Sequence, residues 1–447
     1  MSSINTIFRE LLSIDSPHQV AFNTEESFSH NQFITDVKRA IANINLHSHS
    51  TYLLFAENSY HFAVNFISLL ILEKNITLTA NSKPDWIEQI GSSFEAIIGD
   101  ESLSPLLPSN HYTSGSKKAV SDSLTIPPEF TSRLHFYTSG STSQPKAIPK
   151  SINQIFIELE NIHNTFGDNV IKCSFLASVS HHHIYGLIFR LLWPLIYRFP
   201  FYTDIVLYQE QLLELCSPDK PVCFISSPAF LSRQDFDLKT LQLTECFSSG
   251  SLLSFNAAKT AQQQLGIFPI EVFGSTETGG IGYRRQTNNN QVWTLFPGIM
   301  LQKSSGQAPL LTSPYLPQSL FLDDDIELIS ANQFKLLGRL DRVVKIEEKR
   351  VSLDAIESSL KSSPLIEEVK VVVLRHHRTY LGAVVVLSQQ GRDTLQQHSK
   401  HYLNNQLKQE LINTYEAVAI PRKWRYLDQL PYNTQGKLPL DSLTALF

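Results

Sequence analysis

At 447 residues the chain exceeds the size at which one hydrophobic core keeps growing, so two or more domains are expected. A hydrophobic fraction of 42% with 18% charged residues excludes a disordered chain. The 42 acidic and 37 basic residues leave a net charge of −5, which offers no broad attraction to nucleic acid or to an anionic membrane.

The opening MSSINTIFRELLSIDSPHQ has no basic segment followed by an apolar core, so it does not read as a secretory signal. Up to about residue 100, short apolar runs at 52–56 and 76–79 alternate with helix-like stretches at 31–45 and 62–72, an α/β rhythm that implies a substantially parallel sheet. Residues 102–128 are rich in Ser and Pro and read as an exposed connection. Strand-like pieces at 171–178, 222–226 and 269–273, separated by amphipathic sequence, continue the rhythm. The apolar runs 62–72 and 184–196 are too short to cross a bilayer, and Arg190 and Pro194 interrupt the second, so a cytoplasmic protein without an integral membrane segment is expected. Cys173, Cys216, Cys223 and Cys246 lack metal-ligand spacing and read as reduced thiols.

After Gly338 the pattern changes to a charged strand at 342–347, a helix with Ser352 as N-cap, β-rich runs at 368–374 and 381–387, and a helix at 402–414. The fold class expected is α/β: a large multi-layer N-terminal domain with mixed sheets (1–338) and a small α+β C-terminal domain (339–447).

The segment Leu134-His-Phe-Tyr-Thr138-Ser139-Gly140-Ser141-Thr142-Ser143-Gln144-Pro145-Lys146 carries an apolar strand into hydroxyls, glycine and a lysine. Such a turn can surround phosphate oxygens with N–H and O–H donors while the lysine adds charge. It is not a Walker loop, whose lysine follows glycine and precedes Ser or Thr. A serine hydrolase is disfavoured because no Gly-x-Ser-x-Gly elbow occurs.

This loop resembles the signature of the adenylate-forming superfamily of AMP-dependent synthetases and ligases, and further strings similar to that family's motifs follow in order. Val272-Phe273-Gly274-Ser275-Thr276-Glu277 resembles its aromatic-Gly-x-Thr-Glu motif, which implies Phe273 on adenine, Thr276 on the α-phosphate and Glu277 on Mg2+. Phe247-Ser-Ser249-Gly250 is similar to the small-residue turn that admits adenine. Asp323-Asp324-Asp325 and Gly338-Arg339-Leu340-Asp341 resemble the ribose motif and the interdomain hinge, with Asp324 as the ribose ligand, Asp325 the alternative, Arg339 assisting and Asp341 the hinge. Gln435-Gly436-Lys437 matches the terminal motif whose lysine bridges carboxylate and α-phosphate.

The resemblance implies an acid–thiol ligase: ATP and a small carboxylic acid give acyl-AMP and pyrophosphate, then coenzyme A or the phosphopantetheine of an acyl carrier protein takes the acyl group. A nucleotide-binding homologue without turnover is the alternative. Two departures stand out. Ser143 replaces a customary glycine, and Glu348 replaces another in the loop that usually lines pantetheine entry.

Among Ser178-Val-Ser-His181-His182-His183-Ile184, His183 is expected beside the substrate carboxylate. Read as neighbours on a strand, the three histidines point to opposite faces and do not converge on a metal, leaving His181 and His182 as partly exposed structural residues. No aspartate lies between 178 and 193, where amino-acid-activating relatives carry one, which implies a fatty, aryl or other acid without an α-amino group. Arg375-His-His-Arg378 reads as a solvated hairpin turn rather than a surface for an acidic carrier protein or for the phosphates of coenzyme A.

Overall fold

The computed structural model describes residues 4–13, 16–80, 82–99, 111–113, 124–139, 145–217, 219–232, 241, 243–288, 292–304, 307–346, 349–375, 379–412, 414–415, 417–432 and 438–447. The chain divides into two compact units, Met1–Met300 with Thr312–Ser319, and Leu301–Leu311 with Leu320–Phe447.

The first unit contains a six-stranded sheet in the order His111–Thr113, Ala96–Gly99, Thr51–Phe55, Asn75–Thr79, Arg133–Ser139, Pro145–Ser151. Its first five strands are parallel, and the last returns as an antiparallel hairpin. His111–Thr113 corrects the reading of 102–128 as connection only, because a three-residue strand inside it pairs with Ala96–Gly99. Residues 102–110 and 114–123 of that stretch lie outside the described residues.

A second set of strands in this unit runs Val292–Leu295, Gly279–Arg285, Ile270–Ser275, Glu245–Ser248, Val222–Ser226, Ser174–Ala177, Phe201–Tyr202, Gln19–Phe22, Ser27–Ser29. From Ile270–Ser275 through Gln19–Phe22 every pairing is parallel. Val222-Cys-Phe-Ile-Ser226 is buried at every position, as expected of a strand covered on both faces and legible as an uninterrupted apolar run.

The helices follow the same logic. Ser59–Ile71 is mostly apolar and accordingly buried at every position but His61, with the Asn58 side chain accepting from the N–H groups of Tyr60 and His61. Ile152–Phe166 starts at a capping box in which Ser151 and Gln154 satisfy each other's backbone donors. Its buried face reads Ile152, Ile155, Phe156, Leu159, Ile162 and Phe166 at helical spacing, with one carboxylate, Glu158, among them.

In the second unit Ile366–Arg375 and Thr379–Leu387 form a hairpin, and Lys423–Leu427 adds in parallel. One face of this sheet packs with Ile356, Leu360, Leu403, Leu407 and Leu411, the other with Leu430 and Leu443. Ser352 caps helix Leu353–Lys361 through the Ala355 N–H. Arg375 pairs with Thr379, so 376–378, which lie outside the described residues, connect the two strands of a hairpin. Among the described residues no helix is long and apolar enough to cross a membrane. All four cysteines are free, three of them buried.

Candidate active site

In the first unit two hairpins, Arg133–Ser139/Pro145–Ser151 and Ile270–Ser275/Gly279–Arg285, meet at a pair of charges. Lys146 Nζ donates to Glu277 Oε1 at 2.7 Å, and Lys150 Nζ donates to the Glu277 carbonyl oxygen at 3.1 Å. Burial acts to raise the Glu277 carboxyl, but the hydrogen bond and charge of Lys146, together with donors of its own turn, outweigh it and hold the group below the usual glutamate range. The carboxylate is therefore ionised. A single ionised carboxylate at the surface suits a hard cation whose other ligands are phosphate oxygens and water, so the residues present fit Mg2+ carried by a nucleotide.

The turn that presents Glu277 is knitted by its own hydroxyls. The Ser275 N–H donates to Thr278 Oγ1 at 2.9 Å, the Thr278 N–H donates back to Ser275 Oγ at 3.2 Å, and Thr278 Oγ1 donates to the Gly279 carbonyl at 2.7 Å. Thr276 and Glu277 stand partly exposed between these anchors. Phe273 is half-buried, its ring 5.6 Å from that of Trp293. One strand over, Ser249 Oγ donates to the Val272 carbonyl at 2.8 Å, which fixes the Ser249-Gly250 turn beside the strand bearing Phe273 and Gly274. Gly250 has φ +94°, a left-handed conformation that favours glycine, and a Cβ there would meet nothing within 4 Å. The backbone is open to a flat ring at that point.

The first segment is only partly a loop. Thr138 and Ser139 are strand residues, in register with Lys146 and Pro145 across the hairpin. Gly140, Ser141, Thr142, Ser143 and Gln144 lie outside the described residues, as do Glu347, Glu348 and Lys437.

The histidine run departs from expectation. Residues 181–183 form a turn after strand Ser174–Ala177 rather than a continuation of it, and His181 and His182 are buried, 1% and 7% exposed. His181 Nε2 lies 2.8 Å from the Ala56 carbonyl, and His182 stacks on Phe55 at 4.0 Å with Nδ1 3.0 Å from Ser180 Oγ. Arg190, fully buried in the π-helical turn Leu187–Leu192, donates to the carbonyls of Val179, Thr203 and Asp204 at 2.8–3.0 Å and so ties the chain entering this turn to the segment at Thr203 and Asp204. The sequence missed it because an arginine in an apolar run looks like an interruption. His183 is partly exposed and precedes the helical turn Ile184–Gly186, with its carbonyl accepting from the Leu187 N–H.

Burial, and then the Arg190 charge, lower His182 to about 3. The folded state thus holds His182 neutral, whereas the unfolded chain protonates it near the ordinary value of 6.5. The stabilising contribution is complete above pH 6.5 and shrinks as pH falls toward 3, because only the unfolded state gains the proton in that window. His182→Gln is expected to flatten the fall of the melting temperature between pH 7 and pH 4, measured by differential scanning fluorimetry; parallel curves for the two proteins would disprove it.

In the second unit Asp324 and Arg339 are directly paired positions of the hairpin Asp324–Ser330/Gln333–Arg339. Asp325 is engaged by Lys303, which also donates to the Ile326 carbonyl at 2.6 Å, and it accepts from the Ile326 N–H at 2.9 Å. Asp341 lies in the 3-10 turn Leu340–Arg342. Asp354 accepts from the Arg339 N–H at 2.7 Å and pairs with Arg342 Nε at 2.5 Å.

The family profile described as AMP-binding enzyme matches residues 96–302. The 4-coumarate–CoA ligase of Cereibacter sphaeroides is 24% identical over 314 residues, 68% of this chain and 70% of that protein. The D-alanine–D-alanyl carrier protein ligase of Staphylococcus haemolyticus is 32% identical over 108 residues, 24% of this chain and 21% of its own length. Among solved structures, ATP-bound MatB from Rhodopseudomonas palustris superposes with a TM-score of 0.84 at 15% identity, covering 100% of this chain and 99% of that one. The anthranilate CoA ligase AuaEII in complex with anthranoyl-AMP gives 0.77 at 17% identity, covering 100% and 97%. The α/β fold is theirs over the whole chain.

Proposed function

We infer, because this chain is an adenylate-forming ligase that carries the AMP-binding domain, that it activates a fatty or aryl acid without an α-amino group and passes the acyl group to a thiol. The carboxylate oxygen attacks the α-phosphorus of ATP, the bond to the β-phosphate bridging oxygen breaks, and pyrophosphate leaves. The thiol sulfur then attacks the acyl carbonyl, AMP departs with the bond electrons, and the thiol proton goes to solvent.

The observation that carries this reading is the Lys146–Glu277 pair at the tips of two hairpins, with the Ser249-Gly250 turn one strand away. A cation and a carboxylate that satisfy one another can each exchange that partner for ATP phosphate and for its metal. In this reading Lys146 turns to phosphate, Thr138, Ser139, Gly140, Ser141 and Thr142 surround the β- and γ-phosphates, and Thr276 takes the α-phosphate. Glu277 would hold the Mg2+ that accompanies ATP, and the ion would supply positive charge to offset that of the phosphates. Phe273 and Gly274 flank adenine with Ser249 and Gly250, and His183 stands beside the acid. Asp324, the residue paired with Arg339 across the hairpin, takes the ribose hydroxyls with that arginine, and Asp325 is the alternative. Lys437 adds positive charge where the carboxylate meets the α-phosphate, and Asp341 is the hinge between domains 1–338 and 339–447, in a cytoplasmic setting.

The 4-coumarate–CoA ligase relative supports an aryl acid and coenzyme A, whereas the D-alanyl carrier protein ligase keeps carrier phosphopantetheine as the other acceptor. A pyrophosphate-release screen is expected to respond to aryl or fatty acids and to remain at background with amino acids. Release with amino acids alone, or with no acid, overturns the proposal; competition between coenzyme A and a phosphopantetheinylated carrier then identifies the acceptor.

A further inference from the structure

Behind the Thr276-Glu277 turn sit two charged residues that no motif accounts for. Lys150 is 3% exposed and Glu158 4% exposed, both inside the first unit. Lys150 points inward because strand Pro145–Ser151 alternates, with Ile148 and Lys150 on its buried face. Glu158 points inward because it shares the apolar stripe of helix Ile152–Phe166.

Each meets the backbone of the turn. Glu158 Oε1 accepts the Gly280 N–H at 2.7 Å, and Lys150 Nζ donates to the Glu277 carbonyl at 3.1 Å. Gly279 lies so close over the carboxylate, at φ +70°, that a Cβ would stand 2.8 Å from Glu158 Oε2. Glu158 Oε2 itself is buried without a hydrogen-bond partner among the described residues. Burial raises the Glu158 carboxyl and lowers the Lys150 amine, and each charge opposes the penalty of the other.

Two buried charges are a costly way to hold a hairpin that ordinary packing would hold. What they give is placement. One grips the turn at its centre, on the Glu277 carbonyl, and the other just after it, on the Gly280 N–H, so the turn is fixed in backbone while the Thr276 and Glu277 side chains stay free to change partners.

We propose that Lys150 and Glu158 are positioning residues that preset the Thr276-Glu277 turn for the phosphates and metal of MgATP. Neither touches the nucleotide. The proposal rests on the adenylating role given to this turn above, and it goes beyond that role by assigning affinity for MgATP to two buried side chains on different elements, through their hydrogen bonds to the turn's backbone.

The test compares Glu158→Ala, Glu158→Gln and Lys150→Met with the wild type. MgATP affinity is measured by calorimetry, and KM for MgATP and for the acid by pyrophosphate release. Glu158→Ala is expected to weaken MgATP binding about tenfold, the effect of one hydrogen bond to a charged group, with KM for the acid within about twofold. Glu158→Gln retains an acceptor for the Gly280 N–H and is expected to recover most of that loss, which a merely structural role of the charge would not predict. Lys150→Met keeps the aliphatic stem, removes the donor to Glu277, and is expected to weaken MgATP in the same direction.

Folded variants with wild-type affinity for MgATP overturn the proposal, as does an equal rise in KM for both substrates. If Glu158→Ala does not fold, Lys150→Met decides it by the same calorimetric measurement. If the wild type releases no pyrophosphate with any acid, the ligase reading fails while the MgATP titrations still judge the two positioning residues.

Discussion

Replacing Lys437 with alanine is expected to lower acid-dependent ATP–pyrophosphate exchange by about 10²- to 10³-fold, while thioester formation from supplied acyl-AMP stays within a few-fold of wild type. The asymmetry follows from where charge develops. In the first half-reaction an anionic carboxylate approaches an anionic α-phosphate, and a fixed ammonium lowers the barrier by offsetting repulsion that grows toward the transition state. In the second, a thiol attacks a carbonyl already activated, and that cation has no comparable work. Residues 433–437 lie outside the described structure, but both flanks are anchored. Leu430 and Leu438 pack with Val372, Leu374, Val384 and Val386, and the Tyr432 hydroxyl donates to Glu368 at 2.7 Å. Exchange at the wild-type rate in Lys437→Ala would remove the residue from the mechanism. Lys437→Arg, which keeps the charge but spreads it over a planar fork, is expected to fall between the two.

Much of the fold was legible because local patterns and tertiary environment agree. The apolar run at 222–226 is a strand with those bounds, the stretch at 62–72 lies almost wholly in the helix Ser59–Ile71, and Ser352 caps the helix that follows it. The hydroxyl and glycine strings mark the turns around Glu277 and Gly250 because turn chemistry is written in the turn residues themselves. What stayed hidden depends on partners distant in sequence. Lys150 and Glu158 look like ordinary polar residues until strand alternation and helix periodicity are applied together, and Gly280, the partner of Glu158, is 122 residues away. The histidine run was misplaced for a related reason. A β-like neighbourhood suggested alternation, but the chain leaves the sheet at Ala177, and burial against Phe55, Phe62 and the Ala56 carbonyl, with Arg190 bracing the backbone, sets the rings. The strand at 111–113 was masked by composition, since Ser- and Pro-rich flanks dominate any window drawn around three residues.

Asp341→Pro is expected to leave acyl-AMP formation within a few-fold of wild type and to slow thioester formation by about a hundredfold or more. Asp341 occupies a 3-10 turn, where φ is near the value a proline ring imposes, so at Asp341 itself the ring fits the present φ. Any conformer that needs a different φ at this position is barred. The surroundings say how firmly the present one is held: Asp354 accepts from the Arg339 N–H on one side of Asp341 and pairs with Arg342 on the other, and the Leu340 N–H donates to the Asp323 carbonyl at 2.6 Å. A large change of backbone dihedral at Asp341 would move Arg339 relative to Arg342, and loss of either contact to Asp354 would cost about 1–3 kcal/mol for a charge-assisted bond. With Asp341 as the proposed hinge, rotation there would be a switch between discrete states, of which proline removes one. Proline also pushes the preceding Leu340 toward extended backbone, so the adenylation rate doubles as the check that the turn has survived. Equal losses in both half-reactions would mean a broken turn, and an unchanged thioester rate would place the hinge elsewhere in the chain.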